Sequence, residues 1–227
     1  MKLSFKLAHA DRTETADVDI TTCIVAGWAG RDLDAIEHHI QELAELGVPR
    51  PSAVPLYYRI ASNQLTQDAQ VEVVGDGSSG EAEVFIFSRQ GETLVSLASD
   101  HTDRKLEAHS VALSKQLCVK PVAREAWAYG EVADYWDELV LRSWIEEDGK
   151  TVLYQEGELA LLRPPLELVQ GHFGREAIPE HCGMTCGTVA AIGGIRSAPS
   201  FTMELFDPRR KRSIKHGYTL KILPEIA

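Results

Sequence analysis

The chain has 227 residues, 44% hydrophobic and 25% charged, with 34 acidic against 23 basic side chains and a formal net charge of −11. That charge balance excludes general nucleic-acid binding, which needs Lys and Arg to displace phosphate counterions, and no apolar run approaches the roughly 20 residues of a membrane span. The length buries a sizeable core, and without a Pro/Ser/Gly linker or low-complexity tract residues 1–227 read as a single domain.

Met1 to Leu7 alternates as a strand does and lacks the apolar core of an export signal. A second strand-like segment, Asp17 to Ala26, ends in the loop Gly27-Trp28-Ala29-Gly30. From Asp32 to Leu46 the apolar residues Leu33, Ile36, Ile40, Leu43 and Leu46 fall at three- and four-residue steps, which predicts a helix stopped by Gly47 and Pro49. Strands follow at Pro55 to Ile60, Gln70 to Val74, Glu81 to Phe87 and Thr93 to Ala98, with Arg89-Gln90-Gly91 closing a hairpin. Thr102 is the expected N-cap of a helix running through Leu106 and Ala108 toward Leu113. Mixed elements occupy Val122 to Val169, a Gly-rich stretch follows Gly183, and Phe201 to Phe206 and Tyr218 to Leu223 alternate as an antiparallel pair. The pattern is α+β but predominantly β, and the lack of βαβ alternation points to an irregular mixed sheet or barrel-like roll.

Glu81 and Glu83 are one residue apart in a strand, so both side chains project from one face. Adjacent carboxylates raise one another's pKa, whereas a hard divalent cation reverses the sign of that interaction. Asp100, at the end of the next strand, supplies a third oxygen ligand for Mg²⁺ or Mn²⁺.

Glu-x-Glu, then Asp100-His101-Thr102-Asp103-Arg104, then Ser114-Lys115, then Gly187-Thr188, resembles the fumarylacetoacetate hydrolase superfamily in residue type and order, as a divergent bacterial branch of it. The resemblance implies a β-roll or barrel-like mixed-sheet fold with a short N-terminal lid helix. It also implies a divalent metal on Glu81, Glu83 and Asp100, substrate contact from Lys115, and a substrate carboxylate held by Thr188. His39-Ile40-Gln41-Glu42 is similar to the His-x-x-Glu dyad of the lid, and Leu56-Tyr57-Tyr58-Arg59 to the strand that follows it. The chain departs from the superfamily where Asp32-Leu33 replaces Asn-Tyr, in the short tract between Glu83 and Asp100, and at Leu117, which stands in an aromatic position.

The implied activity is hydrolytic C–C cleavage of a small 2-oxo or β-dicarbonyl carboxylate, acylpyruvate-like, with decarboxylation, tautomerisation or hydration as alternatives. The metal would act as a Lewis acid. His39, oriented by Glu42 at i+3, would take a proton from water, although His38 pairs with Glu42 at i+4 and competes for that role. A non-catalytic small-acid-binding protein of the same fold is the rival from another class. His181-Cys182-x₃-Cys186 could contribute to zinc but lacks a clear fourth ligand, so buried thiols are the stronger reading. Cys118 has no indicated base and is expected to be a buried thiol. His101 is either a partner of Asp100 or exposed, His109 takes no role, Arg104 is expected to pair with a nearby acid, and Glu107 stays unassigned. The run Arg209 to Arg212 after Asp207-Pro208 is read as a solvated hairpin connection. Four cysteines among apolar neighbours suit a reducing cytoplasm, and sheet edges together with the resemblance suggest a homodimer.

Overall fold

The computed structural model describes residues 1–8, 13–45 and 50–226, the side chains of His39, Glu42 and Leu43 excepted. The N-terminal part runs β1 (Lys2–Ala8), β2 (Thr13–Asp19), β3 (Thr22–Gly27), α1 (Leu33–Glu45) and β4 (Leu56–Ile60). Asp32 starts α1 by accepting from the N–H groups of Asp34 and Ala35, both at 3.0 Å, which satisfies two of the helix's free donors. The middle holds β5 (Leu65–Thr66), β6 (Gln70–Val74), β7 (Ser78–Ser79), β8 (Ala82–Arg89), β9 (Glu92–Ser99), β10 (Thr102–Asp103), α2 (Arg104–Glu107), α3 (Val111–Leu117) and β11 (Lys120–Pro121). The last part holds β12 (Glu125–Ala128), β13 (Val140–Glu147), β14 (Lys150–Glu158), α4 (Pro165–Phe173), β15 (Cys182–Thr185), β16 (Ser200–Asp207) and β17 (Arg212–Leu223).

Two mixed sheets dominate. One has eight strands in the order β2-β1-β12-β9-β8-β15-β3-β4, and the other has five in the order β14-β13-β16-β17-β6. The large sheet separates two apolar clusters. Ile24, Val84, Ile86, Val95, Leu97 and Met184 face the five-stranded sheet and pack with Leu141, Met203, Leu205 and Ile214. Phe5, Leu7, Val25, Phe85, Phe87, Leu94 and Ala98 fill the other side. β8 is thus covered on both faces, and for that reason it reads as a nearly unbroken apolar run. Glu83 interrupts that run on the Phe85 and Phe87 face.

The expected β-rich mixed sheet is present, with three local corrections. The segment from Asp17 to Ala26 is two strands, broken where the N–H of Ile20 turns to Met1 O and that of Thr21 to His181 O. Thr102 is not a cap: it pairs with Ser79 in the β10–β7 ladder, and Asp103 caps α2 by accepting from Leu106 N–H at 2.8 Å. The helix beyond it is interrupted, and Ser110 caps α3 separately. The basic run lies in the β16–β17 turn as expected, where Arg209 pairs with Glu138, and Arg210 and Arg212 both pair with Glu131. No helix among the described residues is long and apolar enough to cross a membrane.

Candidate metal centre

The β8–β9 hairpin assembles the acids. Its turn uses Gln90 and Gly91 with φ of 54° and 80°, the left-handed pair that matches strand twist, and its register sets Ala82 opposite Ser99 and Glu83 opposite Ala98. At the open end the N–H of Asp100 donates to Glu81 O at 2.9 Å. Carboxylate oxygens of Glu81, Glu83 and Asp100 consequently lie within 4.8 Å of one another, with Glu83 and Asp100 buried. Among the described residues no other group of three His, Cys, Asp or Glu side chains converges in this way.

The segment after β15 closes the site from the other side. Gly187 N–H donates to Glu83 Oε2 at 3.0 Å, from a backbone with φ of 87° whose added Cβ would stand 2.7 Å from that of Ala29, so this donor is available only from glycine. Thr188 donates its hydroxyl to Ala82 O at 2.7 Å and accepts from the Gln155 amide at 2.8 Å. Gln155 is buried, and its carbonyl accepts from Ala82 N–H at 3.0 Å and from the Ser143 hydroxyl at 2.7 Å. The residue between the two glutamates is therefore held through both backbone groups.

Cations surround the acids. Lys115, on the last turn of α3, places its ammonium on Asp100 Oδ2, 5.7 Å from the centroid of the Tyr58 ring. Lys120, wholly buried, places Nζ 3.2 Å from Asp100 Oδ1 and donates to His101 O. Arg104 lies 3.3 Å from Glu81 Oε1 and donates to Ser79 Oγ at 2.7 Å and Glu107 Oε2 at 2.9 Å.

Burial works to raise the Asp100 carboxyl, but Lys115 and Lys120 outweigh it and hold Asp100 ionised, well below the usual carboxylate range. Glu83 has less compensation, from Lys115 alone among the cations. Burial first, then the Asp100 charge, push it up to about 8. Lys115 is desolvated, yet the charges of Asp100 and Glu81 raise it, whereas burial lowers Lys120 against the pull of Asp100. Burial also lowers His101 to about 3, so the imidazole is neutral.

This donor set fits a hard divalent cation. Three carboxylate oxygens converge, burial and the Asp100 charge make an ionised Glu83 costly, and a cation among them would reverse the sign of that interaction.

Glu81, Glu83, Asp100 and Lys115 are brought together, and Thr188 is tied to the same strand through Ala82. His39 and Glu42 stand on α1, with side chains outside the described residues; His38 is exposed. His101 is buried and bonded to Tyr218 and Ser78. Arg104 pairs with acids as expected, and Glu107 is one of them. Cys182 and Cys186 are buried in the apolar core, and burial raises Cys118 to about 11, so neither the zinc nor the nucleophile reading gains support. Lys120 and Gln155 went unnoticed in the sequence. A lysine inside the otherwise apolar Cys118-Val119-Lys120-Pro121-Val122 was the available signal for Lys120; Gln155 gives none, because its partners are distant in the chain.

The mixed sheets and the acidic hairpin define a fumarylacetoacetate hydrolase-type fold. The structure superposes on Cg1458 with inhibitor at a TM-score of 0.66 and 12% identity, covering 94% of this chain and 81% of that one. It also superposes on 2-keto-3-deoxy-D-arabinonate dehydratase complexed with magnesium and 2,5-dioxopentanoate, at 0.62 and 14%, covering 91% and 75%. A third similar structure is 4-oxalocrotonate decarboxylase from Pseudomonas putida G7 complexed with calcium and acetate, at 0.55 and 16%, covering 90% and 78%. No curated protein sequence matches. The chain belongs to the family described as "Protein of unknown function (DUF2848)", whose model matches residues 26–218.

Proposed function

We propose that this chain is a divalent-metal-dependent enzyme acting on a small 2-oxo or β-dicarbonyl carboxylate, with Mg²⁺ or Mn²⁺ held by Glu81, Glu83 and Asp100. The observation that carries the reading is the convergence of these three acids on the β8–β9 hairpin, inside a ring of cations. The metal, when bound, supplies Lewis acidity for the two adjacent oxygens of such a substrate. Lys115 adds a fixed positive charge toward the substrate carboxylate or a developing oxyanion, and burial strengthens that interaction. Thr188 donates its hydroxyl to Ala82 O in this structure, and to hold a substrate carboxylate, the contact we assign to it, that hydroxyl would turn from Ala82 O to the substrate. His39, with Glu42 as its partner in the dyad, is the residue to which we assign the proton transfer to and from water.

Hydrolytic C–C cleavage of an acylpyruvate-like compound is the reaction we assign. It places water's hydroxyl on the departing acyl carbon and returns its proton to the carbon left on the 2-oxo acid. Decarboxylation or the addition and removal of water would use the same acids and the same lysine. The dehydratase and decarboxylase of similar fold support keeping these in the assay. We also propose a single domain, a homodimer and a cytoplasmic location.

One observation favours a second reading: Lys115 and Lys120 bring two ammonium groups to the oxygens of Asp100, so the site carries fixed positive charge of its own. That arrangement suits a non-catalytic binder of small acids. Purified protein is to be assayed against acylpyruvates, oxaloacetate and related 2-oxo acids with Mg²⁺, Mn²⁺ or EDTA, beside Glu81→Ala. Metal-dependent turnover lost in the variant supports the enzyme, whereas failure to bind Mn²⁺ in a direct titration sinks it.

A further inference from the structure

Tyr218 comes from β17, in the five-stranded sheet, yet its hydroxyl ends between the two segments that carry the acids. It lies 2.8 Å from Ser99 Oγ and 2.9 Å from His101 Nδ1, the residues on either side of Asp100. Ser99 Oγ in turn accepts from Glu81 N–H at 3.3 Å, and His101 Nε2 lies 2.9 Å from Ser78 Oγ. Gly80, immediately before Glu81, passes so close that an added Cβ would stand 2.7 Å from the same hydroxyl and 2.7 Å from the Phe201 ring. Any side chain at that position would force the Gly80–Glu81 backbone, Phe201 or Tyr218 to move.

One direction of proton donation satisfies the whole chain of groups. Glu81 N–H donates to Ser99, the Ser99 hydroxyl to Tyr218, the Tyr218 hydroxyl to His101 Nδ1, and His101 Nε2–H to Ser78. Tyr218, Ser99, His101 and Ser78 are all buried, so water does not substitute for a missing member at low cost. The ring of Tyr218 is wedged against Phe201 at 5.7 Å between centroids, which fixes where the hydroxyl points.

We infer that Tyr218 is a positioning residue for the metal centre: its hydroxyl holds the Gly80–Glu81 and Ser99–His101 segments at the spacing that lets the three carboxylates converge. The inference rests on the metal reading proposed above. Residues behind metal ligands set ligand orientation, and their loss typically weakens metal binding by about 10- to 100-fold. Through Tyr218, the C-terminal strand of one sheet governs a site built on the other.

The test is direct Mn²⁺ binding, followed by electron paramagnetic resonance of the free ion, in wild type, Tyr218→Phe, Ser99→Ala, the double variant and Tyr154→Phe. Tyr154 is the matched control. It is fully buried in the cluster that also contains Tyr218, but its hydroxyl accepts from Arg196 N–H at 3.2 Å and serves neither ligand segment. Tyr218→Phe and Ser99→Ala are each expected to weaken Mn²⁺ binding about tenfold, with the double variant no weaker than about the worse single one. Tyr154→Phe is expected to lower the melting temperature while leaving the affinity at the wild-type value. Wild-type affinity in Tyr218→Phe overturns the inference, as does an equal loss in Tyr154→Phe, which would mark a general loosening of the core. Should Tyr218→Phe fail to fold, Ser99→Ala with unchanged affinity gives the same refutation. Absence of Mn²⁺ binding in the wild type refutes instead the metal reading beneath it.

Discussion

Replacing Glu83 by glutamine removes the acid of the cluster whose burial is least compensated. Burial and the Asp100 charge carry its titration from 4.5 in an unfolded chain to about 8 in the folded one. Because the folded-state pKa is raised, the associated stability is whole below about pH 4.5 and is lost as pH rises through about 8. At about 1.4 kcal/mol per tenfold change in proton affinity, the loss approaches about 5 kcal/mol in the metal-free protein. Glutamine imitates the protonated acid, since its carbonyl can still accept from Gly187 N–H. In EDTA at pH 8.5, Glu83→Gln should therefore melt above wild type by roughly 10 °C, taking about 2–4 °C per kcal/mol for a chain of this size, and the two should converge near pH 5. Mg²⁺ should raise the wild-type melting temperature at pH 8.5 and leave the variant where it is. Thermal unfolding followed by circular dichroism at several pH values reads both effects. Parallel pH curves for the two proteins, or a variant less stable than wild type in EDTA at pH 8.5, would refute the reasoning.

Other consequences follow from the same electrostatics. His101 is held neutral, with burial lowering its pKa from 6.5 to about 3; its contribution is present above pH 6.5 and is lost as pH falls toward about 3. His101→Gln should flatten the decline in urea midpoint between pH 6.5 and 4.5. Lys120→Met leaves Asp100 and His101 O short of a buried donor and should cost about 3 kcal/mol in urea unfolding, with no recovery in Lys120→Arg because the ammonium site is fully enclosed. All four cysteines are buried free thiols, and burial raises Cys23 to about 12. A thiol reagent at pH 8 should label none of them in the native protein, and all of them in guanidinium chloride.

The acidic hairpin was legible because its information is local. Strand alternation puts Glu81 and Glu83 on one face, and a short hairpin returns the chain to Asp100. The start of α2 after Asp103 instead of Thr102 was not legible, because Thr102 is claimed by pairing with Ser79, seen only once the chain is folded. Lys120 shows the same limit. An isolated lysine in an apolar stretch signals burial, but nothing in the linear order says that it shares Asp100 with Lys115. Gln155 and Tyr218 lie further beyond reach, since each acts on the hairpin from a strand of the other sheet. The dyad of His39 and Glu42 has the spacing of a helix face, and α1 covers both positions, which is as far as the backbone carries it.

The acids come from one hairpin, whereas the groups proposed to meet substrate, Lys115 and Thr188, come from α3 and the loop after β15. This division separates holding a cation from deciding what is done with it. Substitutions in the later segments can alter substrate shape, charge and water access while the hairpin stays intact. A chain of this construction can diverge widely in sequence and chemistry and still present the same three oxygens to an ion.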